Sequence, residues 1–199
     1  MSKSDEDDEK HVTGEMIAVP LERLARLMRA GEHTHGLNPA QWEALRYLAR
    51  ANRFSNAPGI LTRYIGATKG TISQTIKALE HKGLLVKSRR AGEKRSVALF
   101  LTPDGKALLD QDPWKRAVVL AGNLGNKTRR RLAKGLGEML DAEVQHSNLP
   151  SFGSCITCRF FREKGRDGDA SGPHLCMLFD EPLKAAECQS ICSAHEPAA

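Results

Sequence analysis

No apolar run in this chain approaches the roughly 18–20 residues that a membrane-crossing helix needs, which excludes a helical membrane span. A secretory signal is missing too. Met1 to Lys10 is polar, with Asp5, Glu6, Asp7, Asp8 and Glu9 set against Lys3 and Lys10. The cytoplasm is the expected compartment. No cysteine occurs before residue 155, and all five fall between Cys155 and Cys192. In that compartment they do not suggest structural disulfides, and an odd number fits pairing poorly. No paired carboxylates, nucleophile–base set or phosphate loop stands out, so no enzymatic activity is expected. Acid is scarce between Leu37 and Pro103, where Glu43, Glu80 and Glu93 oppose twelve lysines and arginines. The net charge of +6 over 199 residues understates that asymmetry. A basic middle is the footprint of a polyanion binder.

What is present centres on Thr68 to Leu84. Ile72, Ile76 and Leu79 recur at the spacing of a buried helical stripe. Thr68 is placed to cap the first turn, and Gly83 to end the helix in a left-handed conformation. The opposite face carries Lys69, Thr71, Ser73, Gln74 and Lys77, all polar and none acidic. Short hydrogen-bonding side chains with lysines suit base edges and their flanking phosphates. After Gly83 the period becomes extended. Leu84–Lys87 and Arg95–Leu101 read as two strands joined by Ser88–Lys94, a turn rich in cations.

Around this centre, residues 1–13 have too few apolar side chains to offset the entropy of ordering them. Ile17, Leu21, Leu24, Leu27 and Met28 predict an amphipathic helix over Gly14–Arg29, with Pro20 expected near its first turn. Asn38-Pro39 opens a second helix through Asn52, with Trp42, Leu45, Leu48 and Ala49 inward. Pro58 opens a shorter one ending at Gly66. Further helices are expected from Thr102, over Trp114–Leu124, and over Asn126–Val144, where Leu132, Leu136, Met139 and Leu140 form a stripe.

A short helix, a tight turn and a polar-faced helix ending in Leu79-Glu80-x-x-Gly83-Leu84 come first. A basic hairpin and Leu101-Thr102-Pro103-x-Gly105 follow. Together these resemble the winged helix-turn-helix of the MarR family of bacterial transcriptional regulators. The resemblance runs over Leu37–Leu109 and, with flanking helices, most of residues 14–146. It implies a mainly α fold with a small β wing, and pairing of the first and last helices across a two-fold axis. It also implies a homodimer on a double-stranded DNA operator and no membrane. Thr68, Lys69, Thr71, Ser73, Gln74, Lys77, Arg89, Arg90, Lys94 and Arg95 are the expected DNA-binding residues, with Arg95 where that family keeps its wing-tip arginine.

Residues 147–153 read as a linker to a Cys-rich appendage over 154–199. That segment holds too few large apolar residues to keep a fold unaided, so a metal staple is expected. Structural zinc would prefer two close ligand pairs. Cys155 and Cys158 make one such pair, whereas Cys176 and Cys192 stand apart, with Phe160, Phe161 and Phe179 nearby. This order is similar to the high-potential iron–sulfur proteins. The resemblance implies a 4Fe-4S cubane on Cys155, Cys158, Cys176 and Cys192, with Cys188 spare and His174 and His195 not ligands. Zinc remains the alternative, paired with a small phenolic or lipophilic effector between the dimerisation helices. An electron carrier is a remoter one. Any signal from the appendage is expected to reach the DNA-binding surface through the Asn126–Val144 helix.

Overall fold

The computed structural model describes residues 12–89 and 97–198. The first helix, α1 (Gly14–Ala30), buries only Met28. Pro20 lies well inside it, not in its first turn. The carbonyl that Pro20 leaves without a donor belongs to Met16, and on so exposed a helix water can take that bond. Asn38 caps α2 (Pro39–Arg50) by accepting from the Gln41 N–H, while the Gln41 side chain accepts from the Asn38 N–H. Trp42, Ala44, Leu45, Tyr47 and Leu48 are buried along α2. Ala49, expected inward, is exposed, because the stripe turns onto Tyr47 and Ala44 instead.

Helices α3 (Pro58–Ile65) and α4 (Lys69–His81) are joined through Gly66, whose φ of +70° suits glycine. Helix α4 ends as anticipated. Gly83, also at φ +70°, donates to the Glu80 carbonyl and Leu84 to the Leu79 carbonyl, a Schellman closure. Strands β1 (Leu85–Arg89) and β2 (Val97–Leu101) form an antiparallel hairpin with Leu85 opposite Leu101 and Lys87 opposite Leu99. The wing is clasped at its base by Thr102. Its hydroxyl donates to the Gly83 carbonyl at 2.7 Å and accepts from the Gly105 N–H at 3.0 Å. One core unites these parts, centred on Trp42, Leu45, Tyr47, Leu61, Ile72, Leu79 and Leu99.

Helix α5 (Pro103–Leu108), a short 3-10 turn, α6 (Lys115–Gly122) and α7 (Asn126–His146) complete the helical part. Neither α6 nor α7 buries any residue, and Leu132, Leu136, Met139 and Leu140 are exposed. The base of these arms is held by a buried ion network. Arg46 donates to Glu32 at 2.5 Å and to Asp112 at 3.0 Å, and the Trp114 indole donates to Glu32 at 2.7 Å.

Beyond α7 the chain does not dangle. Phe152 packs edge-on against Tyr47 and Tyr64 of the helical core. The Cys-rich segment then folds around strands β3 (Phe161–Arg162), β4 (His174–Cys176) and β5 (Glu181–Leu183), an antiparallel sheet in that order. Strands of two or three residues hold little on their own. Cys155, Leu183 and Cys188 form its small buried centre, with Phe54 of the helical domain packed against them.

Candidate nucleic-acid interface and cysteine hollow

The buried stripe of α4, Ile72, Thr75, Ile76 and Leu79, turns the rest of the helix outward. Thr68, Lys69, Thr71, Ser73, Gln74 and Lys77 are all exposed. No acid stands in the first turn, so the partial positive charge of the helix start is left uncompensated. The Thr68 hydroxyl is occupied locally. It accepts from the Thr71 N–H at 3.1 Å and lies 2.9 Å from the Thr71 hydroxyl, which makes it chiefly a cap. Lys69 and Ser73 share a shallow depression with Thr62 and Lys87. Lys87 also reaches Glu80, near the C-terminal end of α4, at 2.6 Å. Arg89 ends β1 and is exposed. Arg90, Lys94 and Arg95 lie outside the described residues.

The second site is a small apolar hollow with a cavity volume of about 10 Å³. Cys155, Cys158, Cys176 and Cys192 all line it, and Cys188 does not. Phe160, Phe161 and Phe179 stand in its wall, as their spacing suggested, joined by Leu178 and Leu183. Local structure delivers each thiol separately. Cys155 opens a 3-10 turn whose closure brings the Cys158 N–H to the Cys155 carbonyl at 2.9 Å. Cys176 ends β4, and Cys192 is fixed by two backbone hydrogen bonds with Gly153. Burial, followed by Cys188, Cys192, Cys176 and Cys158 beside it, pushes the Cys155 thiol up to about 12. Such a thiol ionises at neutral pH only beside a strong cation.

Cys188 is buried beside Cys155 but outside that lining, and its Sγ donates to the Lys184 carbonyl at 3.3 Å. That bond uses the thiol proton. His195 is held by Thr157 at 3.0 Å through Nε2, with its ring against Gly153, and His174 Nδ1 accepts from the Lys164 N–H. Neither lines the hollow. Among the described residues no three Cys, His, Asp or Glu side chains converge closely enough to hold one metal ion. The donors surround a space. Four cysteine sulfurs with apolar walls are a donor set that a 4Fe-4S cluster or a structural zinc ion would use.

The seam that docks this segment onto the helical part was not legible in the sequence. Arg53 donates to the Pro182 carbonyl at 2.6 Å and pairs with Glu181 and Glu187. Phe54 stacks on Phe179 with ring centroids 4.4 Å apart. The contacts span more than a hundred residues, and no local spacing announces them. A further cleft, between α2 and the arms, is lined by Glu43, Arg46, Tyr64 and Trp114. Burial raises the pKa of Glu43 there, against the opposing pull of Arg46 and Arg29.

Residues 35–96 match the model described as MarR family. No curated protein matches the chain. Among solved structures, a MarR transcriptional regulator from Methanosarcina mazei Go1 is 24% identical over 66% of this chain and 98% of its own, with a TM-score of 0.53. NadR in complex with 4-hydroxyphenylacetate is 22% identical over 65% of this chain and 94% of its own, with a TM-score of 0.51. The MepR–DNA complex of S. aureus is 17% identical over 66% and 99%, with a TM-score of 0.51. At these identities the likeness is one of fold. It leaves about a third of this chain without a counterpart.

Proposed function

On a winged helix-turn-helix that matches the MarR family over residues 35–96, we propose a dimeric DNA-binding transcription regulator that carries an iron–sulfur cluster. The observation that carries DNA binding is the exposed face of α4 from Lys69 to Lys77, where Lys69, Ser73, Gln74 and Lys77 stand with no acid in the first turn, beside Lys87 and Arg89 of the wing. Lys69, Lys77 and Arg89, with Arg90, Lys94 and Arg95 between the two wing strands in sequence, contact phosphates; Thr71, Ser73 and Gln74 face base edges. The exposed apolar stripes of α1 and α7 pair two copies, so that two recognition helices meet two half-sites. The MepR–DNA complex supports this reading of the fold.

Cys155, Cys158, Cys176 and Cys192 hold the cluster, of 4Fe-4S type, with one thiolate per iron. When bound, such a cluster supplies a reversible one-electron change and a structure that oxidants, iron shortage or a diatomic gas can dismantle. The chain's own part is to exclude water with Phe160, Phe161 and Phe179 and to keep Cys188 out of the donor set. The test begins with anaerobically purified protein. Brown colour and about four irons per chain are expected by one iron per cysteine, and colourless protein with one zinc would overturn the cluster. DNA binding is tested on a duplex selected from a random library. Its log affinity should fall linearly with log salt, by about 0.9 per neutralised phosphate. A flat salt profile would remove the DNA-binding assignment.

A second reading is favoured by the cleft beside Trp114 and by the relative that holds 4-hydroxyphenylacetate. There the signal is a small aromatic acid against Arg46, and the cysteines hold a structural zinc. Metal analysis separates the two readings.

A further inference from the structure

The connection between α2 and α3 carries three buried polar residues. Asn52, Ser55 and Asn56 are among the least exposed polar residues of the described chain. Connecting loops normally lie in water because their polar groups need partners. Here the partners come from two opposite sides. From the cysteine segment, the Ile191 carbonyl accepts from the Asn52 N–H at 2.9 Å, and the Ile191 N–H donates to the Arg50 carbonyl at 2.7 Å. The Ser193 N–H donates to Ser55 Oγ at 2.8 Å. Between Ile191 and Ser193 sits Cys192, whose side chain lines the hollow. From the wing, the Leu99 N–H donates to the Asn56 carbonyl at 2.8 Å, and Asn56 Nδ2 donates to the Leu99 carbonyl at 3.2 Å. Tyr47 pins the middle by donating to the Ser55 carbonyl at 2.7 Å. Two residues later, Pro58 begins α3.

Only one short loop therefore separates the backbone of Cys192 from the central residue of β2. We propose that this loop couples the hollow to the DNA-binding surface, with Ser55 and Asn56 as its positioning residues. This deepens the regulator reading above and rests on it. With the four thiols joined by a bound group, Ile191–Ser193 is held at a fixed distance from Cys155, Cys158 and Cys176. With free thiols that restraint is gone. A shift of Cys192 pulls on the bonds from Ile191 and Ser193 to Arg50, Asn52 and Ser55, and breaking them would leave buried groups without partners. The displacement passes to Leu99 and to the start of α3. Among the described residues helix α7, the route expected from chain order, shows no such seam: an open cleft lined by Leu140, Val144, Tyr64 and Phe152 runs along it.

The experiment compares the anaerobic, iron-loaded protein with the same protein stripped by oxidation and chelation. Wild type should show a loaded-to-stripped difference in duplex affinity of roughly 5- to 150-fold, the usual span of allosteric coupling. Asn56→Ala and Ser55→Ala replace no cysteine, so both should keep their iron and absorbance while that ratio collapses to about 2-fold or less. Ser55→Thr, which retains the hydroxyl, should restore it. A second readout needs no variant: exchange of the Leu99 amide should be slower in loaded than in stripped wild type. Variants that keep the full ratio, or a Leu99 amide indifferent to stripping, overturn the proposed route. Equal duplex affinities together with a changed Leu99 amide leave the route standing and remove the sensor reading, so the two failures are distinguishable.

Discussion

At Gly105 a single methyl group decides whether the wing can close on the helical core. A Cβ there would lie 2.1 Å from the Leu84 carbonyl oxygen, which is backbone and cannot swing aside. Gly105→Ala is therefore expected to destabilise the domain by about 1–3 kcal/mol, read by thermal or denaturant unfolding. Gly137 is the contrast. It sits inside α7, nothing lies within 4 Å of a Cβ built on it, and Gly137→Ala should stabilise by about 0.5–1 kcal/mol. Among the cysteines, the Cys188 thiol already has the Lys184 carbonyl as acceptor. Cys188→Ser, which keeps a donor, should retain full iron. Serine at Cys155, Cys158, Cys176 or Cys192 should lose stoichiometric iron in metal analysis. Iron lost at Cys188→Ser and kept at Cys192→Ser would mean that the donor set is wrong. On the DNA side, Gln74→Ala should relax base preference with modest loss of affinity, since a bidentate amide–adenine contact discriminates by about 1–3 kcal/mol. Arg95→Ala should weaken binding to all duplexes alike.

Among the elements, α1, α6 and α7 are the ones whose sequence outruns their packing in a single chain. Ile17, Leu21, Leu24 and Leu27 on α1 and Leu132, Leu136, Met139 and Leu140 on α7 are exposed together. Apolar stripes of this length are stable in water when another surface covers them. Leu136→Glu should shift the dimer to monomer in sedimentation and weaken operator binding, because two half-sites about 34–36 Å apart need both recognition helices on one particle. A variant that stays dimeric would place the pairing elsewhere. Helix α4 is the opposite case. Its cap, stripe and Schellman ending were all visible locally, and each is realised with the residues expected.

At the scale of the molecule, the cysteine segment and the helical domain behave as one folded unit. Phe152 covers Tyr47 and Tyr64, and Phe54 covers the buried centre beside Cys155 and Cys188. Truncation after Ser147 removes the Phe152 cover and leaves Phe54 without its partner. The loss should lower stability by about 1–3 kcal/mol and reduce the denaturant midpoint even in iron-free protein. An unchanged midpoint would show that the docking contributes nothing. The sequence by itself determined the winged helix and the clustering of sulfur, because caps, a 3–4 residue period, a left-handed glycine and a crowd of cysteines are local signals. Only the tertiary structure decided that Pro20 lies inside α1 and that Ala49 faces out. It alone decided that the linker docks, and that the segment Ile191–Ser193 pairs with the α2–α3 loop. Those outcomes depend on which surfaces meet across more than a hundred residues, and no spacing along the chain records such a meeting.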